Sequence, residues 1–563
     1  MNQKLTFFIS CCVLFIACKK GPTDPPSKLA PNPNKQHVSV VMQHNDNTRA
    51  GLNNHETALT VASVSSAQFG KLFSLQVDDQ VFSQPLVVGN LGIDSGKHNV
   101  VFIATVNNSV YAYDGDDGTL YWRKNYTSPG MRPPSWSDMT SGWCHPYGNF
   151  TGNIGIVGTP VIDTTSQTIY FVTRSTDGNN FVQYLHAVNI NNGNEKSGSP
   201  VMIKASVPGS GDGNVNNTVS FDPKRNNQRQ GLALVNGVVY IAYSSHCDWN
   251  PYHGWILGYN ASTLQQKIVY NDTPDGEGGG IWQSGMGIVA DAQGNLFVTT
   301  GNGTTGQGNL FTPTTNGTDE NKPNPNPSNL RNRSESAMKL TPSGSTLQIN
   351  SFFTPTDYFN LNANDLDYGV MGSLLIPNSK YYFTGAKSGN MYLLNKDNMG
   401  GYSASANAVQ QTVSVSNTSL HCQPAYFKGS SKEYVYVWSE KDHLRAFSFN
   451  RTNNTFDNNP IVSSIAGAPG NSGAILSVSS NGTADGTGIV WAAYAFSGDA
   501  LDSKGPGILR AFDANDITKE LWNSNKNAND QFGYYAKFAS PTIANGHVYL
   551  ATFSNQVVVY GLK

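Results

Sequence analysis

A short pattern returns along almost the whole chain: an apolar residue, a small or polar residue and an aromatic or aliphatic one, followed by Asp, Asn or a turn. It reads Val110-Tyr111-Ala112-Tyr113-Asp114, Leu185-His186-Ala187-Val188-Asn189 and Ile256-Leu257-Gly258-Tyr259-Asn260, and it recurs at residues 337–340, 391–395, 444–448, 509–513 and 557–561. Eight copies of one pattern mean one supersecondary unit multiplied. Upstream of a copy lies a second β-rich run behind a turn signal, as at Asn236-Gly237 and Asn545-Gly546. Asn-Gly between apolar runs signals a hairpin, because both turn positions need positive φ. No stretch holds a helical period, and β-branched and aromatic residues fill the runs. Each unit therefore predicts four antiparallel strands, which make a propeller blade whose edges are protected by radial closure. The eighth copy lacks one strand, and the run Lys71 to Val77 supplies a strand ahead of the first blade. The expectation is an all-β, eight-bladed β-propeller whose last blade is closed by that N-terminal strand. The competing open β-solenoid is disfavoured by the irregular repeat lengths.

A chain of 563 residues exceeds one ordinary core, and a propeller divides that burden among its blades. Net charge is −2, charged residues make up only 13%, and no basic run stands out, which argues against nucleic acid as a partner. Residues 1–18 read as a targeting segment: Lys4 is followed by an apolar run from Phe7 to Ala17, too short to span a bilayer. Its end, Phe15-Ile16-Ala17-Cys18, resembles a bacterial lipobox with Cys18 as the lipidated residue; the alternative is a plain secretory signal. Residues 19–44, rich in Pro, Lys and Asn, suit an extended tether. The propeller is expected over 45–563, with an Asn-, Pro- and Thr-rich insertion at 304–332 read as a mobile flap on blade four. The protein is therefore expected to be an exported monomer of the bacterial cell envelope, on the periplasmic face or the cell surface, touching the membrane through its lipid anchor only.

With Gly118 and Trp122, the repeat at 110–114 resembles the quinoprotein repeat of eight-bladed PQQ-dependent alcohol dehydrogenases, and the resemblance runs over residues 70–563. Four further segments carry it. Gly278-Gly279-Gly280-Ile281-Trp282 resembles the family's Gly-Gly-x-x-Trp, which implies Trp282 as the floor under the quinone. Thr300-Gly301-Asn302-Gly303 is similar to the Thr-Gly-Asn-Pro whose Asn binds calcium. Asn364-Asp365-Leu366-Asp367-Tyr368 resembles the segment that carries the catalytic base, which implies that role for Asp367. Lys387 falls where the family has an Arg or Lys touching the quinone oxygen. More loosely, Ser175-Thr176-Asp177 resembles Gly-Ala-Glu, implying Asp177 as a calcium ligand beside Asn302 and Asp367. Carboxylate and amide oxygens suit Ca²⁺ rather than a soft metal. Two departures stand out. Where the family has adjacent bonded cysteines over the quinone, this chain reads Gly142-Trp143-Cys144-His145-Pro146, with one Cys. There is also no Cys-x-x-Cys-His for a c-type haem.

Cys144, Cys247 and Cys422 each have a His neighbour. Blade order puts Cys144 and Cys422 on opposite sides of the ring, which argues against one metal cluster. Cys144 and Cys247 fall on neighbouring blades, and export permits a disulfide between them. The stretch 244–255 is dense in aromatic and imidazole groups, and His246, Trp249, Tyr252 and His253 make it either a ligand-gripping loop or a plug packed inward. The resemblance implies PQQ- and Ca²⁺-dependent oxidation of a small-molecule alcohol or sugar hydroxyl. The alternative is a cofactor-free propeller that binds an envelope protein or glycan.

Overall fold

The computed structural model describes residues 37–139, 148–306, 326–415 and 418–563. The expected signal peptide with Cys18, most of the tether, Cys144 and most of the blade-four insertion lie outside the described residues. Among the described residues no helix is long and apolar enough to cross a membrane.

Eight antiparallel sheets follow one another around a ring. Blade one pairs Leu86–Ile93, Gly96–Ala104, Ser109–Asp114 and Leu120–Asn125 in sequence order. The same four-strand order underlies blades two to seven, over residues 161–202, 226–271, 289–353, 374–414, 425–466 and 475–523, with a fifth strand in blades three and six and Leu52–Asn53 added in parallel to blade seven. Blade eight is built from Thr542–Ala544, His547–Ala551 and Gln556–Leu562, and its outer strand is Phe69–Gln76, with Ser74 opposite Val558. The N-terminal strand thus closes the ring as expected.

The repeated motif is the third strand of each blade, and packing explains its composition. Middle strands meet a neighbouring blade on each face, so Ser109–Asp114 and Ile489–Ala495 are buried along their whole length. Outer strands such as Leu120–Asn125 are largely exposed or half-buried, with Trp122 as the buried residue. The small residue inside the motif is a spacing requirement: a Cβ at Gly258 would lie 2.9 Å from Ile268 Cβ. Blades are also tied sideways. Trp122 Nε1 donates to the Ile190 carbonyl of blade two at 2.9 Å, and its ring packs against Gly193, where a Cβ would come within 2.8 Å.

One feature was not expected. The innermost strand of each blade has a free edge facing the central channel, and unpaired buried backbone is costly. Residues 38–56 run once around that channel and pair with the blades in order. Val38 meets Asn545 of blade eight, Val40 pairs with Val87 of blade one, and the Val41 carbonyl accepts from Ile162 of blade two. Asn47 bonds Leu234 and Ala290 of blades three and four; the carbonyls of Thr48, Ala50 and Gly51 accept from Leu375, Tyr426 and Val478 of blades five to seven. Glu56 closes the circuit by accepting from Gly546 of blade eight. Arg49, fully buried, pins this strap by donating to the carbonyls of Ile288, Gln43 and Leu232 at 3.0, 2.6 and 3.1 Å. The fold therefore begins before the expected residue 45, and the last residues assigned to the tether belong to the hub.

Candidate functional site

A cavity of about 130 Å³ sits in the hub, above a layer of buried amides resting on the strap. Gln423 forms that layer, donating to the carbonyls of Ser284 and Phe538 at 2.7 and 2.9 Å and accepting from Gln43 of the strap. Loops leading into every blade line the cavity: Phe82, Phe150, Asn227 and Arg229, Trp282, Asp367, His421, Asn471, and Lys537 with Phe538. Loops between second and third strands add Ser245, Cys247, Asp248, Lys387 and Leu501; Leu501, 40% exposed, marks the mouth.

Trp282, Asp367 and Lys387 thus line one cavity, although their segments are far apart in sequence. Asn302 stands directly behind them. Asp367 is buried, with Oδ1 accepting from the Asn302 N–H at 2.8 Å and Oδ2 paired with Lys387 Nζ at 2.5 Å. Burial works to raise its pKa, but the Lys387 charge and these hydrogen bonds hold it below the ordinary carboxylate value. Lys387 also reaches Asp365 Oδ1 at 2.7 Å. Burial would lower its pKa, yet the two carboxylates hold the ammonium above its ordinary value. Asn302 Nδ2 donates to Asp365 Oδ1 at 2.8 Å, while its own Oδ1 is buried without a partner. Glycine makes this packing possible: a Cβ at Gly301 would lie 2.2 Å from Asp367 Oδ1 and 2.9 Å from Trp282 Cδ1.

Trp282 is presented by two left-handed glycines, Gly278 and Gly279, with φ of 71° and 73°. Its Nε1 is buried without a partner. The Arg229 guanidinium lies 5.6 Å from the Trp282 ring centroid and 4.3 Å from that of Phe538. Lys537 is buried beside them, donating to the carbonyls of Ala500 and Leu501. Burial, then the Arg229 charge, push its amine down to about 7.

The remaining expected residues separate. Asp177 is fully exposed and caps its own turn, accepting from the N–H groups of Asn180 and Asn179 at 2.7 and 2.9 Å, which hold its carboxyl down to about 2. It does not line the cavity, so the structure does not gather Asp177, Asn302 and Asp367 around one ion. The strand Thr168–Thr176 runs on into a tight hairpin, which spends the carboxylate locally. Most of the aromatic loop is packed inward. His246 is buried against Arg174, and burial drives its pKa well down. His253 is clamped between Thr273 and the Asp212 carbonyl, and Tyr252 Oη donates to Asp248 Oδ1 at 2.6 Å. Trp249 is half-buried under Lys224 and Arg225. From this loop it is Ser245, Cys247 and Asp248 that line the cavity. Cys247 is disulfide-bonded; the expected partner, Cys144, lies outside the described residues. Cys422 is a buried free thiol.

Sequence reasoning missed Arg229, Asp248 and Lys537 as cavity residues. Each is an isolated charge in a connecting loop, and no local spacing marks it.

Three solved structures share the architecture across 93% of this chain. The quinohemoprotein alcohol dehydrogenase from Comamonas testosteroni is 12% identical, with a TM-score of 0.57 over 80% of its length. A europium-containing methanol dehydrogenase is 10% identical, with a TM-score of 0.58 over 98% of its length. The chain has the eight-bladed fold of the quinoprotein dehydrogenases. The quinohemoprotein alcohol dehydrogenase ADHIIG from Pseudomonas putida HK5 matches this quinoprotein-type propeller at 12% identity and a TM-score of 0.52, over 80% of its length. No family model and no curated protein matches the sequence.

Proposed function

We propose that this propeller binds a planar quinone cofactor of the PQQ type in the hub cavity and oxidises a small-molecule alcohol or sugar hydroxyl there. The observation that carries the reading is the convergence of Trp282, Asp367 and Lys387 on one cavity walled by Phe82, Phe150 and Phe538. A flat aromatic anion suits that lining: aromatic faces offer stacking area, and the Arg229 and Lys387 cations line the same cavity. The unpartnered Trp282 Nε1 and Asn302 Oδ1 are buried polar atoms that a ligand would satisfy. When bound, such a quinone supplies a two-electron acceptor; the protein's part is to hold it, shield it from water and manage the hydroxyl proton.

Calcium fits less well. Ca²⁺ takes about six to eight oxygens, whereas Asp177 is on an exposed turn and both Asp367 oxygens are already engaged. Among the described residues no group of three or more His, Cys, Asp and Glu is placed to hold a metal. The ammonium of Lys387 fills the space between Asp365 and Asp367, and no step is derived through a metal.

Export is part of the proposal, supported by the disulfide at Cys247 and by the lipobox-like end at Cys18. The test is a titration of the purified protein with PQQ, with chelator or with Ca²⁺, following tryptophan quenching. Saturable quenching in chelator that is lost in Trp282→Ala supports the reading. Absence of binding in both conditions refutes it and leaves a cofactor-free propeller.

A further inference from the structure

Two carboxylates face the hub cavity, and they are held differently. Asp367 is ion-paired with Lys387 and hydrogen-bonded by Asn302, so its charge is already compensated. Asp248 lines the same cavity from the loop joining the second and third strands of blade three. No cation lies within ion-pair distance of it among the described residues. Cys247 and Asp248 both stand in the left-handed region, with φ of 53° and 45°, and the disulfide at Cys247 anchors that turn. Buried Tyr252 donates to Asp248 Oδ1 at 2.6 Å, and among the described residues no hydrogen bond is made to its Oδ2.

The charged and titratable groups around Asp248 come from several elements. Tyr252 is on its own loop, Asp365 and Asp367 precede blade five, Lys387 lies on the blade-five hairpin, and Arg229, His421 and Lys537 line the cavity from blades three, six and eight. Burial is the largest influence and the Asp367 charge the next; against the Tyr252 hydrogen bond they push the Asp248 carboxyl up to about 7. Environments that separate two acids in this way assign them different work. A compensated carboxylate orients a hydroxyl but takes its proton poorly; a desolvated one without a counter-charge takes it well.

We propose that Asp248, through Oδ2, accepts the proton of the substrate hydroxyl, while the Asp367–Lys387 pair holds the hydroxyl in place. The inference rests on the oxidation reading above. In the step, the substrate O–H bond breaks, an O–H bond forms on Asp248, and the developing negative charge on the substrate oxygen stays beside the Lys387 ammonium. Asp248 returns its proton to water through the mouth of the cavity.

Two measurements on the full-length protein test this. The first is pH-difference infrared spectroscopy without cofactor. A carboxylic-acid band that titrates near neutral pH, disappears in Asp248→Asn and survives in Asp367→Asn is expected; a band that persists in Asp248→Asn overturns the assignment. The second is the pH profile of turnover with PQQ bound. Wild type should gain rate with rising pH through neutrality, and Asp248→Asn should lose that limb together with about 100-fold or more of kcat, with partial recovery in Asp248→Glu. The Asn variant should still quench saturably with PQQ, whatever the shift in affinity, which separates lost chemistry from lost folding. An active wild type whose Asp248→Asn variant keeps the same rate and profile overturns the proposal alone. A wild type that binds no PQQ overturns the oxidation reading, and this inference falls with it.

Discussion

Replacing Lys387 with Met removes the one cation that pairs with Asp367 among the described residues. The two arms of Lys387 differ in worth. Asp365 has a side chain 66% exposed, so that arm is a surface pair contributing about 0–1 kcal/mol. The Asp367 side chain is 6% exposed, and breaking a buried pair by removing one partner costs about 3–5 kcal/mol, because the other charge stays uncompensated. A loss of about 3 kcal/mol at pH 7.5 is therefore expected, nearly all of it through Asp367. The pH dependence has a definite sign. In wild type the Asp367 pKa is lowered, so its contribution is present at neutral pH and fades only as pH falls below the ordinary carboxylate value. In the variant, burial and Asp365 act without Lys387 and raise that pKa, so protonation relieves the buried charge as pH falls. Chemical denaturation of both proteins at pH 7.5 and 5.0 should show the deficit shrinking at the lower pH, with Lys387→Arg close to wild type at both. A Met variant as stable as wild type, or one with the same deficit at both pH values, would refute the claim that Lys387 neutralises a buried Asp367.

Three further outcomes are expected. Arg49→Met leaves the carbonyls of Gln43, Leu232 and Ile288 without their buried donor, at about 1–3 kcal/mol each; hydrogen exchange should show the strap amides losing protection before the outer strands do. Lys537→Met should remove a stability slope: the unfolded chain holds this proton up to the ordinary 10.5 while the folded one releases it near 7, so wild type gains stability between those pH values and the variant does not. Parallel stability curves across that range would count against a cavity-buried Lys537. Cys18→Ser should abolish incorporation of labelled palmitate in a bacterial host while leaving export intact; label retained in the variant would remove Cys18 as the anchor.

The propeller was legible because its signal is repeated and local. A small residue at 112, 187, 258, 446 and 511 inside an apolar strand follows from blades packing face to face, and each copy reinforces the others. Trp282, Asp367 and Lys387 were legible only through the resemblance of their short segments to those of the quinoprotein alcohol dehydrogenases. Asp177 misled because residue type alone does not tell a hairpin cap from a ligand: its oxygens are taken by Asn179 and Asn180, two and three positions on. Asp248, Arg229 and Lys537 were illegible as a group because two connections of blade three and one leading into blade eight, far apart in sequence, bring them together. The strap was hidden for a different reason. Its partners are innermost strands spread over the whole chain, so beyond the short run Val38 to Met42 residues 38–56 carry no strand signal of their own.

That circuit of chain settles how the hub communicates with its surroundings. Gln43 lies directly under Gln423, and Gln423 under the carbonyls of Ser284 and Phe538, so the passage through the ring is stoppered on that side. Among the described residues the cavity opens near Leu501 and is floored by that amide layer. A ligand that enters from the Leu501 side therefore meets a closed floor, and the ring serves as a cup, not as a conduit.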